Sequence, residues 1–226
     1  ALKDAITPNT KVLMLNSVGN PCGGVYTKAE LEAIAKVLEN TQIIVLSDEI
    51  YEKLSYESEF VATASINDDM FRRTVTINGL SKCAAMPGWR FGYAASASNE
   101  LIAAMQKLQS QSTANIASIV QAGAIPALLG KCDDYVEYMK KEYIKRRDYA
   151  VDAINKIDKL SVIKPGGAFY LFINCSLVEK DSMKFCKRML DEALVACVPG
   201  VGFGMDGYFR FSFACELDNI KDCLLY

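Results

Sequence analysis

The sequence predicts an α/β protein: a mostly parallel sheet with flanking helices, a long linking helix, and a small α+β unit at the end. Three observations predict it. Short apolar runs alternate with amphipathic stretches through residues 1–100, the pattern of strand–helix–strand crossovers. An unbroken charged helical segment runs from Asp133 to Ile157. After it, three strand-like runs surround one helix-like run. These set the expected divisions at residues 1–130, 131–158 and 159–226.

Each element has its own signal. The chain opens on Ala1 rather than methionine, and "ALKDAITPNTKVLMLN" reads as a helix end passing through Pro8 into a buried strand. It is therefore expected to begin inside a longer protein. "KVLMLN" is the first strand, and "TKAELEAIAKVLENT" a helix with Thr27 as N-cap and Glu30 completing a capping box. Leu31, Ile34, Ala35 and Leu38 recur at helical spacing and predict one buried face. "QIIVLSDEIY", "RTVTINGLSK" and "RFGYAAS" are three further strands. Their near-continuous apolar runs predict a sheet covered on both faces and at least partly parallel.

"NELIAAMQKLQSQ" and "ASIVQAGAIPALLG" are helical, the second bent or ended near Pro126 and Gly130. The long segment from Asp133 places acids at its positive end, with Tyr135, Met139, Tyr143, Ala150, Ile154 and Ile157 near one stripe. Its dense lysines and arginines read as a solvated face rather than a binding patch. "LSVIK", "AFYLFINC" and "GYFRFSFA" are strands, with the helix "DSMKFCKRMLDEALVA" between them.

Composition excludes several function classes. A net charge of −2 gives no broad electrostatic footprint for nucleic acid or acidic membranes. No apolar run approaches a membrane span, and no basic-then-apolar segment opens the chain. The eight cysteines include no C-x-x-C pair, so reduced thiols in a cytoplasm are expected. There is no histidine, which removes Ser-His and Cys-His nucleophile pairs. The cysteine spacing matches no zinc site, and no metal is expected. Acid–base chemistry falls to Lys, Tyr, Asp, Glu or Cys.

Ligands in parallel sheets gather beyond the carboxyl ends of the strands. Those ends carry Asn16 to Gly24, Asp48 to Tyr51 and Asn78 to Lys82, and are expected to face one crevice. "NSVGNPCGG" is an ordinary turn, or a loop that sends Asn20 into that crevice. The run "GVGFG" lacks dinucleotide-binding spacing. Asp48 is an exposed strand-end acid, or an anion held against a cationic ligand atom with Tyr51 as a nearby donor.

Lys82, in "GLSKCAAMPGWRFGY", is either a solvated charge or an amine shielded enough to condense with an aldehyde. Arg90 is either a cation stacked on Trp89 or a planar fork for phosphate. A lysine for an aldehyde with an arginine for a phosphate describes pyridoxal phosphate. In "YFRFSFA", Arg210 should face away from Phe209 and Phe211, as an edge charge or as a clamp for a carboxylate.

The order N-x-x-x-N-P-x-G, S-D-E-x-Y, S-K-x-x-x-M-x-G-W-R-x-G-Y and R-x-S-F-A resembles the fold-type I pyridoxal-phosphate aminotransferases over essentially the whole chain. It is most similar to their bacterial-type aspartate aminotransferase branch. The resemblance implies that Lys82 holds pyridoxal 5'-phosphate covalently and then shuttles the substrate Cα proton. It implies that Asp48 pairs with the ring nitrogen, that Tyr51 and Asn20 bond the ring's phenolic oxygen, and that Arg90 binds the phosphate. Arg210, helped by Asn20, would bind the substrate carboxylate.

An amino acid donor, with aspartate first, and a 2-oxo acid acceptor such as 2-oxoglutarate are implied, as is a homodimer. Residues 1–130 would be part of the cofactor-binding large domain and 159–226 the small mobile domain. Val18, Cys22 and Pro87 depart from residues common in the branch. The family's N-terminal region, with a phosphate loop and a ring-stacking aromatic, does not precede "VLMLN" here. A fragment with poor cofactor retention is therefore expected. A C–S lyase using the same lysine and an inert fragment are the alternatives.

Overall fold

The computed structural model describes residues 1–225 of the 226-residue chain. The apolar runs become one sheet in the order β1 (Val12–Asn16), β2 (Ile44–Asp48), β3 (Thr74–Gly79) and β4 (Gly92–Ser96). The first three pair in parallel, and β4 adds antiparallel to β3. The predicted mixed, mostly parallel sheet with flanking helices is thus the observed one.

A short α1 (Leu2–Ala5) precedes β1, and α2 (Lys28–Leu38) crosses from β1 to β2. Both halves of its capping box form: Glu30 N–H donates to Thr27 Oγ1 at 3.3 Å, and Thr27 N–H to Glu30 Oε2 at 2.8 Å. Leu31, Ala35 and Leu38 pack on Leu15, Val45 and Met70, with Ile34 at the rim. Met70 belongs to α3 (Asp68–Arg73), a helix too short to leave an amphipathic period in the sequence.

Since α2 and α3 serve the same cluster, they cover the same face of the sheet. The expectation of cover on both faces is corrected for the described residues. On the opposite face Met14 is 78% and Ile77 39% exposed. The apolar pattern records that this face is suited to burial, not that the described helices supply it.

Beyond β3 come α4 (Leu80–Cys83) and, after β4, α5 (Asn99–Ser112) and α6 (Ser118–Leu128). Helix α6 keeps Pro126 inside its last turn and gives way at Gly130, φ +77°. The long helix α7 spans Asp133–Ile154. No described helix is long and apolar enough to cross a membrane.

The chain divides into two units, residues 1–18 with 25–136, and residues 19–24 with the chain from Glu137 onward. The second unit holds a small antiparallel sheet in the order β5 (Ser161–Val162), β6 (Tyr170–Asn174), β8 (Tyr208–Ser212), β7 (Val198–Pro199). Helices α8 (Ser182–Ala193) and α9 (Leu217–Cys223) complete it. Phe185 of α8 meets Phe209 at 4.9 Å between ring centres, so α8 covers the Phe209 face of the sheet.

The stripe read along α7 holds at Met139, Ala150 and Ile154 and fails at its ends. Tyr135 is exposed, and Ile157 lies beyond the helix and is exposed, while Val136, Arg147 and Val151 are buried. A straight helix drifts against any fixed stripe over this length. The basic run is therefore not uniformly solvated: Arg147 is an interior residue.

Candidate active site

Register puts Asn16, Asp48 and Ile77 side by side at the carboxyl ends of three parallel strands. Asn16 Nδ2 donates to the Asp48 carbonyl at 3.3 Å. Asp48 is half-buried, and its Oδ1 accepts from Ile50 N–H at 3.2 Å. A turn of backbone later, Tyr51 is buried.

What fixes this strand end lies on the other face. Glu49, Ser47 and Thr63 are all buried. Glu49 Oε1 accepts from Ser47 Oγ at 2.8 Å and from Thr63 N–H at 3.1 Å, and the Ser47 and Thr63 hydroxyls are 2.8 Å apart. Burial pushes the Glu49 carboxyl above its usual range, against these hydrogen bonds, which pull it down. Sequence reading treated Glu49 only as a neighbour of Asp48. Its alternation with Asp48 along the strand was the available signal, because adjacent residues face opposite sides.

Lys82 follows from a tight junction. At Gly79 a Cβ would stand 2.6 Å from the Phe91 carbonyl, so only glycine lets β3 and β4 approach this closely. The chain then turns into α4, whose single turn carries Lys82, half-buried, at the same edge as Asp48. Asn78 Oδ1 accepts from Gly79 N–H at 2.7 Å and Cys83 Sγ donates to Gly79 O at 3.2 Å, which fixes this junction. Burial raises the Cys83 thiol pKa, as expected of a structural rather than reactive cysteine. Beneath α4 a cavity of about 100 Å³ contains the Lys53–Asp133 ion pair.

Arg90 ends a 3₁₀ turn in the left-handed region, φ +51°, and its Nη1 donates to Pro87 O at 3.0 Å. Its guanidinium is exposed and borders an open groove of about 570 Å³ shared with Gln109, Thr113 and Asn115. Trp89 lies against Gly123 of α6, where a Cβ would stand 2.2 Å from its ring.

In the second unit Arg210 lies on β8, flanked by β6 and β7, so the edge-charge reading does not hold. Phe209 and Phe211 are buried on one face and Arg210 projects from the other. Its guanidinium lies 4.3 Å from the Tyr170 ring centre and 5.1 Å from that of Phe203. Its Nη1 donates to Asn20 Oδ1 at 2.8 Å.

Sequence reading sends Asn16 to Gly24 to one crevice as a block. The structure divides that block, with Asn16 in the first unit and Asn20 in the second. The cause is a close approach of backbones: Gly167 N–H donates to Gly23 O at 3.1 Å. Of the six site residues, Asp48, Tyr51, Lys82 and Arg90 therefore stand in the first unit, while Asn20 and Arg210 are brought together in the second.

The donor set fits pyridoxal phosphate. Within the first unit a primary amine and a carboxylate share one strand-end edge, and a guanidinium fork borders an open groove.

Comparison with known proteins identifies the family. The family model for aminotransferase class I and II matches residues 1–224. The chain is 41% identical over 237 aligned residues to the "Probable aspartate/prephenate aminotransferase" of Rickettsia typhi, covering 100% of this chain and 59% of that protein. Among solved structures it resembles the aspartate aminotransferase of Rhizobium meliloti, with a TM-score of 0.93 at 38% identity, over 99% of this chain and 58% of that one. The aromatic aminotransferase of Pyrococcus horikoshii aligns with a TM-score of 0.94 at 38% identity, over 99% of this chain and 60% of that one. The chain thus spans about 59% of the length of the curated relatives it matches.

Proposed function

Because the chain belongs to the class I and II aminotransferases, we propose that it carries the cofactor-anchoring and carboxylate-binding groups of a pyridoxal-phosphate-dependent transaminase. The proposed reaction moves an amino group from an amino acid, aspartate first, to a 2-oxo acid such as 2-oxoglutarate, in a homodimer. One observation carries the reading: Lys82, on the single turn of α4, and Asp48, whose Oδ1 accepts from Ile50 N–H, occupy one strand-end edge.

Pyridoxal phosphate, when bound, supplies an aldehyde and an electron-withdrawing ring. Lys82 Nζ would anchor the cofactor's aldehyde, and the same amine would take and return the proton at the substrate Cα. The Asp48 carboxylate would hold a proton on the ring nitrogen, where positive charge favours electron withdrawal. The Tyr51 and Asn20 side chains would bond the ring's phenolic oxygen, and Arg90 would take the phosphate in its fork. Arg210, steadied by Tyr170 and Asn20, binds the α-carboxylate common to donor and acceptor.

Two measurements test this. Added pyridoxal phosphate should give a visible absorption band that Lys82→Ala abolishes, and absence of the band from the unmutated chain would favour an inert protein. Aspartate with 2-oxoglutarate should yield glutamate, with Lys82→Ala slower by about 10²–10⁴-fold. Pyruvate and ammonia released without any 2-oxo acid would instead identify a C–S lyase.

A further inference from the structure

Arg147 stands in the basic run of α7, yet its side chain is only 2% exposed. Burying a guanidinium is unfavourable unless its donors are met. Here Nε donates to Asp148 Oδ1 at 2.8 Å and Nη1 to the Pro165 carbonyl at 2.9 Å. Lys164 Nζ lies 3.1 Å from the same Asp148 oxygen, so the start of loop 164–168 is tied to α7 twice.

That loop in turn carries residues 19–24. Gly167 N–H donates to Gly23 O, and Gly23, φ +65°, lies so near that a Cβ would stand 2.5 Å from both Gly167 O and Pro165 Cβ. Within 19–24, Gly23 N–H donates to Gly19 O at 2.7 Å and Gly19 N–H to Gly24 O at 2.8 Å. The loop so closed presents Asn20 to Arg210.

We infer that Arg147 is a positioning residue: through Pro165, Gly167 and Gly23 it fixes Asn20, and thereby the aim of the Arg210 guanidinium at a substrate carboxylate. Every contact in this chain lies within the second unit. The inference rests on the reading of Arg210 as the carboxylate clamp. A continuous path of hydrogen bonds and close backbone contacts is what physical coupling between such residues requires.

The test uses the full chain with saturating pyridoxal phosphate and two readouts. One is the iodoacetamide labelling rate of Cys22, an exposed thiol within loop 19–24, followed on its own peptide by mass spectrometry. The other is the affinity for 2-oxoglutarate by calorimetry.

Arg147→Met should speed Cys22 labelling and weaken 2-oxoglutarate binding by about tenfold, with the cofactor band unchanged. Arg147→Lys, which keeps the charge and loses the fork, should fall between. Gly23→Ala, which breaks the same link from the far side, should reproduce both effects and serves if Arg147→Met does not fold. In a folded variant, unchanged labelling overturns the inference, and so does faster labelling with unchanged affinity. If Arg210→Ala also leaves the affinity unchanged, the clamp reading of Arg210 falls, and labelling alone then decides whether Arg147 holds the loop.

Discussion

The contacts of the sequence-predicted charged residues differ between the two units. In the first, Asp48 and Arg90 are tied to backbone atoms, Ile50 N–H and Pro87 O, and Lys82 rides on a single helical turn. In the second, Arg210 is held by other side chains, the Tyr170 and Phe203 rings and the Asn20 amide. A group held by backbone depends on turn geometry and tolerates changed neighbours. A group held by side chains depends on those neighbours and tolerates small shifts of backbone. The first arrangement suits a fixed anchor, and the second suits a clamp whose aim can be tuned.

The sharpest way to break this contrast is at Gly79. Gly79→Ala places a methyl group against the Phe91 carbonyl, with no flexible side chain to yield. It should lower stability by about 1–3 kcal/mol and abolish the cofactor band, read by thermal melts and absorbance. An unchanged melt would show that β3 and β4 can separate without harm. Next in size, Arg210→Lys keeps the charge and loses both the fork and the ring stacking. It should raise the KM for donor and acceptor alike by about tenfold while the melt stays put. A rise for one substrate only would point away from the shared carboxylate.

The smallest effect concerns Glu49, which accepts from the Ser47 hydroxyl and the Thr63 N–H. Its folded pKa is raised by burial above the ordinary 4.5. Its contribution to stability is therefore fully present below that value and is lost as pH rises through the raised one. Glu49→Gln should flatten that part of the stability–pH curve, measured by denaturant unfolding at a series of pH values. A curve as steep as the parent's would assign the pH dependence to other groups.

Local signals in the sequence were read correctly where the physics is local. The capping box of Thr27 and Glu30 and the buried face of α2 depend on neighbours a few residues apart. The strand-end placement of Asp48 and Lys82 was legible, since each follows an apolar run. Long-range facts were not legible. Only the family resemblance set Asn20 beside Arg210, nothing in the basic run marks Arg147 as buried, and nothing in the strand pattern tells which face the described helices leave open. The short helix α3 leaves too few residues for a period to show.

The central claim is that Lys82 is the group around which the first unit's strand ends are arranged. It is tested most directly by incubating the chain with pyridoxal phosphate, reducing with borohydride, and mapping the modified peptide by mass spectrometry. A single label on Lys82, absent when Lys82 is replaced by alanine, is the predicted result. Labels spread over the exposed lysines of α7, or none at Lys82, would contradict it.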